Sequence, residues 1–188
     1  MTWLLTDEER LLRDTARDFA LREVAPTAIE RDEAERFDRS IFRQMGNLGL
    51  TGAPLPESVG GAVFSYLGWT LIMEELGAAD MATAVTLSVH ILSQYPVVTW
   101  GSDGFGFGAH EKKMGIRSCP AAELVFDGCV VPVANRLGDE GEGYKIALSA
   151  LAEGRISIAA ACVGLARSAL ERAVAEGVHL LVQALADP

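Results

Sequence analysis

The chain has 188 residues, 49% of them apolar and 22% charged, with a net charge of −10. That is enough length for one domain with a core, or two small ones, and the balance of a soluble globular protein. The acidic excess argues against a nucleic-acid-binding surface.

Thr6 followed by Glu9 fits a capping box, in which hydroxyl and carboxylate each take a free N–H at a helix start. The helix it opens places Leu12, Ala16, Phe19 and Ala20 on one face, and Pro26 marks its end or a bend. Ile41, Met45 and Leu48 form a second short stripe, closed by Gly49. Pro54, Pro56, Gly60 and Gly61 make a loop. Leu67, Leu71, Ile72 and Leu76 predict a third helix ending near Gly77. Met81 to Tyr95 predicts a fourth, apolar nearly all round and so expected to be buried. Pro96 then reads as a restart of the chain.

Past this helical half come three short β-like runs, Lys112 to Arg117, Glu123 to Phe126 and Cys129 to Val131, with Pro132 stopping the third. The glycine-rich stretch Leu137 to Gly143 reads as a structural turn. Its Gly138, Gly141 and Gly143 lack phosphate-loop spacing, and Asp139, Glu140 and Glu142 would repel phosphate. A helix to Leu151 follows, and a longer one from near Arg155 carries Ile156, Ala159, Ala160, Val163, Ala166, Leu170 and Val174 at helical spacing. Ala159, Ala160, Ala161 and Gly164 make it slim enough for close approach by another helix. Cys119, Cys129 and Cys162 show no metal-ligand spacing and read as reduced thiols in a cytosol-like compartment. The acidic first ten residues show no secretory signal. No run of about 18 apolar residues is evident, so no membrane span is expected.

Several of these pieces stand together: Glu111-Lys-Lys-Met-Gly-Ile-Arg117, Glu123-Leu-Val-Phe-Asp127, Val131-Pro132, Asn135-Arg-Leu-Gly138, Glu140-Gly-Glu-Gly-Tyr144 and Leu151-Ala-Glu-Gly-Arg155. In this order and spacing they resemble the acyl-CoA dehydrogenases. In the first half, Pro56 to Gly61, Met73-Glu-Glu-Leu-Gly77 with Asp80, Ser88-Val-His90 with Tyr95-Pro96, and Trp100 to Asp103 resemble the same family. The resemblance implies an α+β, mostly α fold. Residues 1–103 would be an N-terminal helical domain, 104–135 a remnant of the middle β-domain, and 136–188 the start of a C-terminal helical domain. After Asp103 the family continues with most of its β-domain, whereas here Gly104-Phe-Gly-Phe-Gly108 follows at once. A second skip falls between Ala175 and Glu176, after which Leu180 to Asp187 resembles the next helix. The chain is therefore expected to be an incomplete version of a longer enzyme, with a true internal deletion as the alternative.

The resemblance further implies an oxidoreductase of fatty-acid metabolism acting on CH–CH bonds. It would perform FAD-dependent α,β-dehydrogenation of an acyl-CoA, giving the 2-enoyl-CoA and passing electrons to an electron-transfer flavoprotein. It implies a homotetramer, in the cytoplasm or, in a eukaryote, the mitochondrial matrix. An acyl-CoA oxidase, a nitroalkane oxidase or a flavin-free helical binding protein are the rivals. No cofactor-binding residues and no metal ligands are assigned. The family's usual catalytic glutamate is absent, and Glu153 is not a good base. Some members place the base directly before the arginine, a position Gly154 fills here, so Glu153 points about 100° away. Its plain role is a carboxylate at a helix N-terminus. Arg155, with Leu151 and Gly154, is expected along the thioester and pantetheine, since a guanidinium fork suits phosphate and carbonyl oxygens. Ser88 is the expected chain-length gate, although a buried serine more often bonds a backbone carbonyl. His90 reads as a core residue. Lys112, Lys113 and Arg117 read as strand-edge charges.

Overall fold

The computed structural model describes residues 5–53, 57, 61–62, 64–97, 105–130, 132–136 and 138–186. Helix α1 spans Asp7–Phe19, and its capping box is present: Thr6 Oγ1 accepts from the Glu9 N–H, and Glu9 Oε2 accepts from the Thr6 N–H at 2.9 Å. The chain does not stop at Pro26. A π-helical turn (Ala20–Val24) and a 3-10 turn (Ala25–Thr27) carry it, bent, into α2 (Ala28–Glu33). The bend sits where proline lacks the ladder N–H. Helix α3 spans Arg39–Asn47, and Asp38 caps it by accepting from the Ser40 N–H at 2.9 Å. Gly49 follows with φ +76°, a left-handed stop. That reversal leaves Leu48 exposed and turns Leu50 into the core.

Helices α4 (Tyr66–Ala79) and α5 (Met81–Val97) complete the bundle. Helix α5 runs through Pro96 instead of restarting there. The core holds Ala16, Phe19, Ala20, Val24, Ile41, Met45, Leu50, Trp69, Ile72, Met73, Leu76, Ala84, Leu87 and Ile91. Leu67, expected inside, is exposed, and Trp69 and Met73 take the buried face. A helix apolar nearly all round leaves its buried face to be chosen by its neighbours. Pro54, Pro56, Gly60 and Trp100 to Asp103 lie outside the described residues.

Strands β1 (Phe105–His110) and β2 (Ala122–Phe126) pair antiparallel, Phe105 opposite Phe126, with the register shifting between Phe107 and His110. Among the described residues, two of the three expected strands are not formed. Lys112 to Arg117 is an irregular turn, and the described part of Cys129 to Val131 is coil that follows the turn at Gly128 (φ +62°). Two of the charges there, Lys113 and Arg117, hold the turn and are not edge guards. Lys113 Nζ donates to the carbonyls of Ile116 and Cys119, and Arg117 donates to Asp32 through its backbone N–H (2.7 Å) and Nε (3.1 Å). None of the three cysteines is in a disulfide.

Gly138 (φ +69°) and Gly141 (φ +87°) shape the expected turn ahead of α6. Helix α6 is a single helix, Gly143–Ala186, of 44 residues. The expected break between Leu151 and Arg155 is absent, as is any break at Ala175–Glu176. No proline interrupts this stretch, and a lone interior glycine costs only about 1 kcal/mol. Within Gly143–Leu180, an 18-residue window reaches a mean hydropathy of 1.6, enough by length and composition alone to cross a membrane. The window is rich in alanine and glycine, which a search for an unbroken apolar run passes over. Part of α6 instead packs against α4 and α5.

Candidate functional site

The segment expected to lie along a substrate sits on α6, and α6 is held by a stripe of small residues. Gly154, Ser157, Ala161 and Gly164 recur every three or four residues and are all buried, as one helix face requires. Ser157 Oγ accepts from Trp69 Nε1 at 2.7 Å. At Gly77 of α4, a Cβ would lie 2.3 Å from the Ala161 carbonyl oxygen. At Gly164, a Cβ would lie 1.8 Å from the Glu74 carbonyl oxygen. The two backbones therefore touch, which only glycine at both positions allows.

Charges lock the same joint. Glu75 of α4, 3% exposed, accepts from Arg17 of α1 (2.8 and 3.0 Å) and from Arg167 Nη2 of α6 (2.8 Å), while Arg167 Nη1 pairs with Glu74. The hydrogen bond to Glu75 raises the Arg17 pKa. A second buried pair, Arg31 to Asp80 at 3.1 Å, ties α2 to the start of α5, and Arg31 also donates to Thr83 Oγ1 and the Val24 carbonyl. Sequence reasoning missed both clusters. Their one visible signal is a carboxylate, Glu75, on the buried stripe of an apolar helix. Its partners lie 58 and 92 residues away, beyond any local pattern.

Leu151 and Arg155 are exposed on α6, Gly154 is buried, and Ser88 is buried on α5. Because α6 is continuous, Glu153 does not stand at a helix N-terminus, and the macrodipole argument for it fails. The side chain of Glu153 lies outside the described residues. Thr86 Oγ1 donates to the Ala82 carbonyl at 2.7 Å. His90 is half-buried, its ring edge-on to Phe42 at 5.9 Å, and burial lowers its pKa.

Leu148, Leu151, Ile156 and Val163 are exposed along with Arg155, so α6 presents apolar surface together with a guanidinium. Larger cavities lie elsewhere. One, of about 490 Å³, is lined by Phe37, Arg39, Arg117 and Ser118, and another, of about 600 Å³, by Arg13, Arg17, Leu71 and Arg167. Neither includes Ser88, Leu151, Gly154 or Arg155. Leu151 and Arg155 thus stand on an outward face of α6.

Two family descriptions match, in chain order. "Acyl-CoA dehydrogenase, N-terminal domain" covers residues 6–104, and "Acyl-CoA dehydrogenase, C-terminal domain" covers residues 141–176. The chain belongs to the acyl-CoA dehydrogenase family. That family is one of flavoproteins and oxidoreductases. An acyl-CoA dehydrogenase of Bacillus subtilis (strain 168) is 26% identical over 258 aligned positions, covering 90% of this chain and 68% of that protein. The solved butyryl-CoA dehydrogenase of Megasphaera elsdenii superposes with a TM-score of 0.82 at 26% identity, over 90% of this chain and 68% of that one. A chain from a structure described as an electron transferring flavoprotein of Acidaminococcus fermentans superposes at 0.83 with 27% identity, over 93% and 69%. The chain thus spans about two thirds of the length of each of these relatives. The 258 aligned positions exceed the chain's own 188 residues, so the relative carries residues inside the matched span that this chain skips. The family matches stop at 104 and 176, beside Asp103 and Ala175, where the family-like text breaks.

Proposed function

We propose that this chain is part of an FAD-dependent acyl-CoA dehydrogenase that converts an acyl-CoA thioester to the 2-enoyl-CoA. The observation that carries this reading is the pair of family matches, 6–104 and 141–176, in the family's order. Residues 1–103, 104–135 and 136–188 are the proposed domain portions. FAD, when bound, supplies the electron chemistry. The residues of this chain have a supporting part. Leu151 and Gly154 flank the thioester and pantetheine, Arg155 holds ligand oxygens with its fixed donor fork, and Ser88 limits the acyl chain's far end. The catalytic base is assigned to no residue here. The proposed electron acceptor is an electron-transfer flavoprotein, in keeping with the description of one structural neighbour. A homotetramer and a cytoplasmic location belong to the same proposal.

One observation favours a second reading, a flavin-free helical binding protein. The sheet among the described residues has two strands, too few for an independent sheet. The flavin spectrum of the protein purified from its native source separates the two. A flavin spectrum bleached anaerobically by an acyl-CoA supports the dehydrogenase. A colourless protein that FAD does not reconstitute overturns it. Oxygen consumption on acyl-CoA, with no other acceptor present, points to an oxidase. In a flavin-containing preparation, Arg155→Ala is expected to weaken acyl-CoA binding roughly ten-fold or more, the loss of about one charge-assisted hydrogen bond. Isothermal titration with an acyl-CoA reads the effect, and unchanged affinity removes Arg155 from the site.

A further inference from the structure

Ser118 lies in the turn between β1 and β2, beside Arg117, which clamps Asp32. It is 4% exposed, and its hydroxyl has no hydrogen-bond partner among the described residues. Buried hydroxyls are seldom left unpaired in folded proteins. The residue borders a small cavity of about 10 Å³, room for one water molecule, whose walls also include Arg31, Asp38, Thr83 and Thr86. A buried water needs that much space and two to four polar partners, and a site lined by apolar groups alone stays dry. This one is polar.

The hydrogen bonds around it show which groups are open. Thr83 Oγ1 donates to Asp80 and accepts from Arg31. Arg31 is committed to Thr27, Thr83, Val24 and Asp80. Asp38 Oδ1 accepts from the Ser40 N–H and hydroxyl. Thr86 Oγ1 donates to the Ala82 carbonyl and keeps acceptor capacity. Ser118 keeps both its donor and its acceptor capacity. We infer that the cavity is a binding site for a single structural water, which bridges Ser118 Oγ to Thr86 Oγ1. The water joins the Ile116–Cys119 turn to α5, next to the buried Arg31–Asp80 pair. Together with the Arg117–Asp32 clamp, it fixes the β segment on the helical bundle. The site rests on packing alone and is independent of any flavin chemistry.

A double-mutant cycle tests it by sign. With the water bound, Ser118→Ala leaves the water short of a partner, and the melting temperature falls by about 2–4 °C. Thr86→Val removes the other anchor, so the double variant loses less than the sum of the two. A dry cavity gives the opposite result: Ser118→Ala removes an orphan hydroxyl and raises the melting temperature. That rise, or additive losses, overturns the inference. A high-resolution crystal structure supplies the direct reading. One density peak at hydrogen-bonding distance from both hydroxyls supports the site, and Ser118 turned onto a backbone carbonyl with no peak overturns it.

Discussion

Single residues set the tightest constraints, and two glycines matter most. Gly164 and Gly77 let α6 touch α4 backbone to backbone, and a methyl group at Gly164 would overlap the Glu74 carbonyl. Gly164→Ala is therefore expected to destabilise by about 3 kcal/mol or more, the upper end of overpacking costs, read as a lowered urea midpoint. Gly115, with nothing within 4 Å of an added Cβ, is the control. Asp32 supplies a pH dependence. Burial opposes its charged form, yet hydrogen bonds from the Arg117 backbone and side chain, with that guanidinium's charge, outweigh burial and hold the carboxyl below its usual value. A lowered folded-state pKa stabilises above the ordinary carboxylate value of about 4 and is lost as pH falls through the folded value. Asp32→Asn should flatten the acid limb of a plot of melting temperature against pH below about 4. Glu9, lowered mainly by the Thr6 backbone, and Asp38, lowered mainly by Ser40, keep part of the limb.

At the scale of elements, α6 has two unequal parts. Between Ser157 and Arg167 it is held by the Trp69 hydrogen bond, the Gly77 and Gly164 contacts and the Glu74–Glu75 ion pairs. Beyond it, Leu170, Val174, Val178 and Val182 are all more than half exposed. Hydrogen exchange should divide the helix accordingly, with amides at 157–167 protected by the bundle's stability and those at 172–183 exchanging by local fraying. Uniform protection along α6 would show that the outer part is covered in solution. Helix beginnings were the most legible elements, because Thr6 and Glu9 close their capping box within four residues of each other. Only the end of α3 was legible, its stop written in Gly49. The expected Leu151–Arg155 break does not form, because the local chain carries no breaker strong enough to stop a helix.

Across the whole molecule, one core runs from α1 to Ala161 of α6, so residues distant in sequence share their burial. Glu75 shows the consequence. Glu75→Ala takes the common acceptor from Arg17 and Arg167 and should cost up to about 3 kcal/mol, below the full value for a buried pair because both arginines stay partly exposed. The skips after Asp103 and Ala175 are a matter for the protein as a whole. Intact mass spectrometry of material from the native source is expected to give more than the 20.1 kDa of this sequence. A mass near that figure would establish a genuine internal deletion.

The sequence by itself determined what depends on near neighbours: the caps, the glycine turns, the helical character of both ends, and the family, through short motifs kept in order. Tertiary structure alone decided which face of α4 is buried, which of the β-like runs pair, and that Arg117 answers Asp32 and Arg167 answers Glu75. The physical reason is range. A cap or a left-handed turn is satisfied within a few residues, whereas a buried charge, a paired strand or a glycine contact is satisfied by groups the chain brings back from far away.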